Sequence, residues 1–146
     1  MNTEQHDDLE AIRQLKARYL RLMDTKQWDR WGDCFMPDII AVFEGAPRAS
    51  SDQPMENRVE GSELLVGLCR ELLADATTIH QVYMPEIELI NDTTATAVWA
   101  MFDNVQFPTC NFKGWGHYQD SYVKEDGQWK IQKLHLTRLH TSEEWL

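Results

Sequence analysis

Five ionisable side chains lie on segments whose apolar pattern directs them inward. They are Tyr19 and Asp24 near the end of an amphipathic stretch, His80 and Asp103 inside apolar runs, and Arg138 near the C-terminus. Each unpaired polar group in an interior costs roughly 1–3 kcal/mol, so a carboxylate, an imidazole and a phenol gathered there do not serve stability. Proton transfer is the chemistry they suit. A carboxylate within hydrogen-bond reach of His80 fixes the imidazole tautomer and raises its basicity, giving a base useful near neutral pH. Asp24 and Asp103 are both candidates for that partner. Plainer readings stand beside these: Tyr19 as a core tyrosine with a satisfied hydroxyl, Asp24 as the cap of the next helix, and His80 as a hydrogen-bonded core residue. Arg138 suits either a substrate carboxylate or oxyanion, or an acidic neighbour.

The elements that must position these groups follow from hydrophobic spacing. Leu9, Ile12, Leu15, Tyr19, Leu22 and Met23 recur at three and four, predicting a helix from about Glu4 to Asp24. Asp24 lies five residues beyond Tyr19, about 140° around an ideal helix, so the two converge only where the helix ends or bends. Trp28, Trp31 and Phe35 predict a short second helix stopped by Pro37. Asp38 to Glu44 predicts a strand, and the polar stretch Gly45 to Arg58, with two prolines, a mobile flap. A third helix carries Leu64, Leu65, Leu68, Leu72 and Leu73, with Ser62 as its expected cap. From Thr77 the period changes to two, predicting antiparallel strands at about 77–90, 94–107, 112–125 and 128–140, with a hairpin signal at Asp126-Gly127. Three helices followed by a meander predict an α+β fold, helices laid on one face of a strongly curved sheet.

On that sheet His80 and Asp103 occupy adjacent strands, and Asp103 shares a face with Trp99 and Met101. Trp99, Met101, Phe102, Val82 and Leu136 predict a bulky apolar lining suited to a hydrophobic ligand. His117 falls on the opposite face from Tyr118, Asp120 and Tyr122, and the parity of the last strand puts His135 and His140 on opposite faces. Trp115, Trp129 and Trp145 suit packing or an interface.

A length of 146 residues, 42% hydrophobic, suits one domain spanning 1–146. A net charge of −10 without a basic run disfavours nucleic acid and anionic membrane surfaces. Cys34, Cys69 and Cys110 are odd in number and unpaired by motif, which suits a reducing cytoplasm. No apolar run approaches the roughly 20 residues that cross a bilayer, and Met1 to Glu10 is not a basic-then-apolar leader. The histidines show no H-x-x-x-H spacing, and no phosphate loop, nucleophile elbow or dinucleotide fingerprint occurs. Neither a metal nor a cofactor is expected.

Taken together, Leu9 to Tyr19 with Met23-Asp24 and Trp28-Asp29, then His80 with Pro85-Glu86-Ile87, Trp99 to Asp103, Gly116 to Asp120, Asp126 to Trp129 and Arg138 resemble the nuclear transport factor 2-like superfamily in its SnoaL-like branch. Within it the chain is most similar to the bacterial bile-acid dehydratase, and more distantly to scytalone dehydratase. The dehydratase's tyrosine, helix aspartate, histidine, strand aspartate and late arginine match Tyr19, Asp24, His80, Asp103 and Arg138. The segment Gly45 to Arg58 and the short C-terminal end depart from it. The resemblance implies a cone-shaped α+β barrel closing an apolar pit, a cofactor-independent lyase acting on a steroid or polyketide ring, and assembly as a dimer or trimer. An isomerase or polyketide cyclase, or a non-catalytic binding or dimerisation module, are the rival expectations.

Overall fold

The computed structural model describes residues 1–146. Helix α1 spans Thr3–Asp24 and starts at a reciprocal cap. The Gln5 backbone N–H donates to Asn2 Oδ1 (2.8 Å), and the Asn2 N–H donates to Gln5 Oε1 (2.9 Å). Its buried stripe is the one expected, from Ile12 through Leu15 and Tyr19 to Met23. The helix stops at Asp24, with Thr25 in the C-cap position and Lys26 at a φ of 57°, so the chain turns where Asp24 must leave the helical face.

Helix α2 covers only Trp28–Gly32. Pro37 does not end it: Phe35 already opens strand β1 (Phe35–Phe43), and Pro37 sits inside that strand. The pairing of β1 with the last strand shifts between Phe35 and Ile40, and a proline without an N–H is tolerated at such a break. Strand β2 (Asn57–Glu60) takes the end of the expected flap and pairs antiparallel with β1, Ala41 opposite Val59. Helix α3 (Ser62–Leu72) begins one residue earlier than expected, because Gly61 holds the N-cap position and Ser62 is helical without a side-chain cap.

The remaining strands are β3 (Thr77–Leu89), β4 (Thr94–Gln106), β5 (Cys110–Glu125) and β6 (Gln128–Trp145), the last running beyond its expected end. Asp126 and Gly127 have φ values of 52° and 77°, the left-handed pair that a two-residue hairpin needs to match strand twist. One six-stranded sheet results, ordered β2-β1-β6-β5-β4-β3, antiparallel except for β1 beside β6. Its ends, β2 and β3, do not pair, so the curved sheet stays open and the helices cover its concave side over a core of 30 buried apolar residues. The expected α+β fold, a curved sheet wrapped by three helices, is the fold observed. No helix is long and apolar enough to cross a membrane.

One irregularity re-aims β6. Trp115 pairs with His140 but Gly116 with Arg138, so Leu139 is an extra residue. Such a bulge reverses facing beyond it. His135 and His140 therefore lie on the same outer face, not on opposite faces as parity predicts. His140 stacks on Trp115 at 5.4 Å, while Arg138 points inward with Leu134 and Leu136.

Candidate active site

Two acid–base pairs sit side by side. The register of β3 against β4 sets His80 opposite Asp103, yet each turns to a different partner. Asp24, leaving the end of α1, receives His80 Nδ1 on Oδ1 at 2.6 Å, the Thr78 hydroxyl on the same oxygen at 2.8 Å, and the His80 backbone N–H on Oδ2 at 2.8 Å. Three donors converge on one carboxylate, so Nδ1 carries the proton and Nε2 is left as the lone-pair nitrogen. The His80 side chain is 7% exposed. The carboxylate thus holds both the tautomer and the ring orientation.

Asp103 takes both prongs of the Arg138 fork, Nη1 to Oδ1 at 2.7 Å and Nη2 to Oδ2 at 3.1 Å. Arg138 Nε donates to the carbonyls of Glu44 and Gly45, both at 3.2 Å, and Met101 Sδ lies 3.5 Å from Nη1. This arginine ties β6 to β4 and to the start of the 45–56 segment. Gly114 on β5 lies opposite Asp103, and a Cβ built there would stand 2.6 Å from Asp103 Oδ1 and closer still to Arg138 Nη1. Gly114→Ala is expected to prise the fork apart and lower stability by about 1–3 kcal/mol, read as a shifted denaturant midpoint at unchanged slope.

His80 and Asp103 line a cavity of about 690 Å³, from which their partners Asp24 and Arg138 are set back. Tyr19, Met23, Trp31, His80, Asp103 and Leu136 form its base, α3 supplies Leu65, Leu68, Cys69 and Leu72, and Ala46 to Pro54 with the β4–β5 turn make its rim. The rim segment is pinned. Arg48 donates from Nε and Nη2 to Glu143 at 2.8 and 2.9 Å, and the Thr109 hydroxyl donates to the Ala49 carbonyl at 2.7 Å.

Residues 4–135 match the model of a family described as a SnoaL-like domain. The chain belongs to the SnoaL-like domain family. By sequence it is 24% identical over 136 residues to the "Probable cyclase FGR4" of Gibberella zeae, a match covering 88% of this chain and 89% of that protein. By structure it is similar to a "Putative Scytalone Dehydratase" from Novosphingobium aromaticivorans (TM-score 0.84, 17% identity, 100% of this chain and 93% of that one). It is similar also to a hexachlorocyclohexane dehydrochlorinase, LinA type 2 (TM-score 0.82, 18% identity, 97% and 91%). At these identities the solved structures establish the fold alone, an open curved sheet covered by N-terminal helices.

In this SnoaL-like domain Tyr19, His80 and Asp103 line the apolar hollow, while Asp24 and Arg138 do not line it and connect to it only through His80 and Asp103. The expected lining differs. Trp99 is buried and donates its indole N–H to Tyr122 at 2.9 Å, and Met101 packs beside Arg138, so neither reaches the cavity wall. Val82 packs against the core from β3 without lining the hollow, and Phe102 faces outward onto Trp115 at 5.3 Å. Those positions lie on β3 and β4 away from the hollow, and α3 with the rim segment supplies most of the wall. No group of three or more His, Cys, Asp or Glu side chains converges as a metal site.

Sequence reading missed a buried ion pair. Lys16 has no exposed surface, and its Nζ lies 2.8 Å from Asp120 Oδ2. Both signals were present. Ile12, Lys16 and Tyr19 are spaced by four and three on the apolar stripe, and Asp120 alternates with Tyr118 and Tyr122 on the inward face of β5.

Burial holds the phenols of Tyr19, Tyr118 and Tyr122 protonated above their ordinary range, and pushes the Cys69 thiol from 9.0 to about 12. All four are raised in the folded state. The stability they carry is complete below their unfolded values and lost as pH climbs towards the folded ones. Between about pH 9 and 12 the unfolding free energy should fall steeply. Equilibrium denaturation across that range checks this, and a flat profile would contradict buried, protonated phenols.

Proposed function

We propose that the chain is a cofactor-independent lyase, a dehydratase of hydrophobic ring compounds in the manner of the bile-acid and scytalone dehydratases. The observation carrying this reading is the Asp24–His80 contact of 2.6 Å at the base of the roughly 690 Å³ cavity. Nε2 of His80 takes a proton from carbon next to a carbonyl-conjugated system, and Asp24 stabilises the imidazolium that forms. Tyr19 donates a hydrogen bond to the oxygen on which charge develops. The electron pair of the broken C–H bond becomes the new double bond, the hydroxyl leaves, and the imidazolium returns its proton to it as water. A neutral Asp103 would be a second source of that proton, but both its oxygens accept from Arg138, which favours His80 as acid and base in turn. Arg138 then acts by holding Asp103 rather than by binding substrate.

A cavity of this size and lining suits a fused-ring steroid or polyketide. The exposed Ile79, Tyr83 and Met84 on edge strand β3, with Trp115 and Leu139 on the outer sheet face, support a homo-oligomer, dimer or trimer, and the three free cysteines suit a cytoplasmic setting. A second reading, ring closure or isomerisation by the same base and donor, is favoured by the likeness to the FGR4 protein. Both are tested by incubating the protein with a bicyclic β-hydroxy ketone and with steroid and polyketide homologues, followed by mass analysis. Loss of water supports the dehydratase, a product of unchanged mass supports the isomerase or cyclase, and no turnover across the panel with tight binding supports a non-catalytic module.

A further inference from the structure

Lys16 is the one wholly enclosed cation, and the acid–base pair described above makes no use of it. Its Nζ lies 3.6 Å from the centre of the Tyr118 ring and 4.3 Å from that of Tyr19. Asp120 Oδ2, 2.8 Å from that ammonium, also accepts from the Tyr122 hydroxyl at 2.5 Å, and Tyr122 in turn accepts from the Trp99 indole at 2.9 Å. Asp120 Oδ1 has no partner. An ion pair enclosed in this way adds little net stability over apolar side chains of the same volume. Yet this one is gathered from α1, β4 and β5, and its ammonium lies over the two rings that back the cavity floor. Tyr19, whose face receives the cation, is itself part of that floor.

A cation over an aromatic face draws on the ring's π density, and a phenol depleted in this way is a stronger hydrogen-bond donor. We propose that Lys16, held by Asp120, is a positioning residue for Tyr19: its ammonium locks the Tyr19 and Tyr118 rings and strengthens the Tyr19 hydroxyl as donor to the developing oxyanion. The role deepens the acid–base reading above and rests on it. It has a distinct signature, because a residue acting only through the Tyr19 hydroxyl loses its effect once that hydroxyl is gone. Tyr118 meets Tyr19 edge-on with ring centres 5.8 Å apart, so the clamp passes between two rings that already touch. Burial lowers the proton affinity of Lys16, while Asp120 opposes that change and supports the charged form.

The test is a double-mutant cycle on the bicyclic β-hydroxy ketone, or on the first homologue in that panel to turn over. Wild type, Lys16→Met, Tyr19→Phe and the double variant are compared, with His80→Ala as control. Lys16→Met is expected to lower kcat about ten-fold with KM changed less than about two-fold, and to have no further effect in the Tyr19→Phe background. Independent, multiplicative effects, or an unchanged kcat in Lys16→Met, overturn the role. Should Lys16→Met fail to fold, Asp120→Asn, which keeps side-chain volume and removes the charge that holds the ammonium, runs the same cycle with the same criteria. Turnover that survives in His80→Ala overturns the acid–base reading itself. Dead His80→Ala together with additive Lys16 and Tyr19 effects overturns only the role of Lys16.

Discussion

His80→Ala should abolish turnover, with kcat falling at least about a thousand-fold while the melting temperature stays near that of the parent. Nε2 has no protein partner, so nothing else in the cavity base takes over proton abstraction; Asp103 is occupied by Arg138 and Tyr19 is held protonated by burial. Asp24→Asn should cost about 10²–10⁴-fold. An amide in place of that carboxylate presents one acceptor where three donors converge, and its NH₂ group opposes the His80 Nδ1–H that orients the ring. Steady-state kinetics on an accepted substrate, paired with thermal unfolding, check both variants. If His80→Ala and Asp24→Asn turn over like the parent, the dyad is a structural hydrogen bond.

Asp103→Ala should be among the most destabilising substitutions in the chain. Its side chain is 2% exposed and that of Arg138 8%, so truncation strands a guanidinium in the interior. Breaking a buried pair from one side costs about 3–5 kcal/mol, which for a domain of this size lowers the melting temperature by roughly 10–16 °C. Replacing both partners, Asp103→Leu with Arg138→Met, should recover most of that loss, because no unpaired charge remains. A single substitution costing less than about 1 kcal/mol would show that water reaches the pair.

Much of the site was legible one residue at a time. Tyr19 announced itself on a helical stripe, and Asp103 by alternating with Trp99 and Met101, because period and polarity are local properties of the chain. The hairpin between β3 and β4 could be placed from its turn, and with it the adjacency of His80 and Asp103. The bulge at Leu139 was not legible: an extra residue leaves no mark in composition, and it reversed the facing of His140. Gly114 carries meaning only because Asp103 and Arg138 fill the space its missing side chain leaves.

By itself, then, the order of residues determined the helices, five of the six strands, the α+β arrangement and which ionisable groups turn inward. Tertiary structure decided which carboxylate serves His80. Spacing alone left both Asp24 and Asp103 open, and the contact itself came from where α1 ends against β3 and from a guanidinium arriving from β6. Hydrogen-bond partners separated by dozens of residues are set by the docking of whole elements, and only the packed fold fixes those distances.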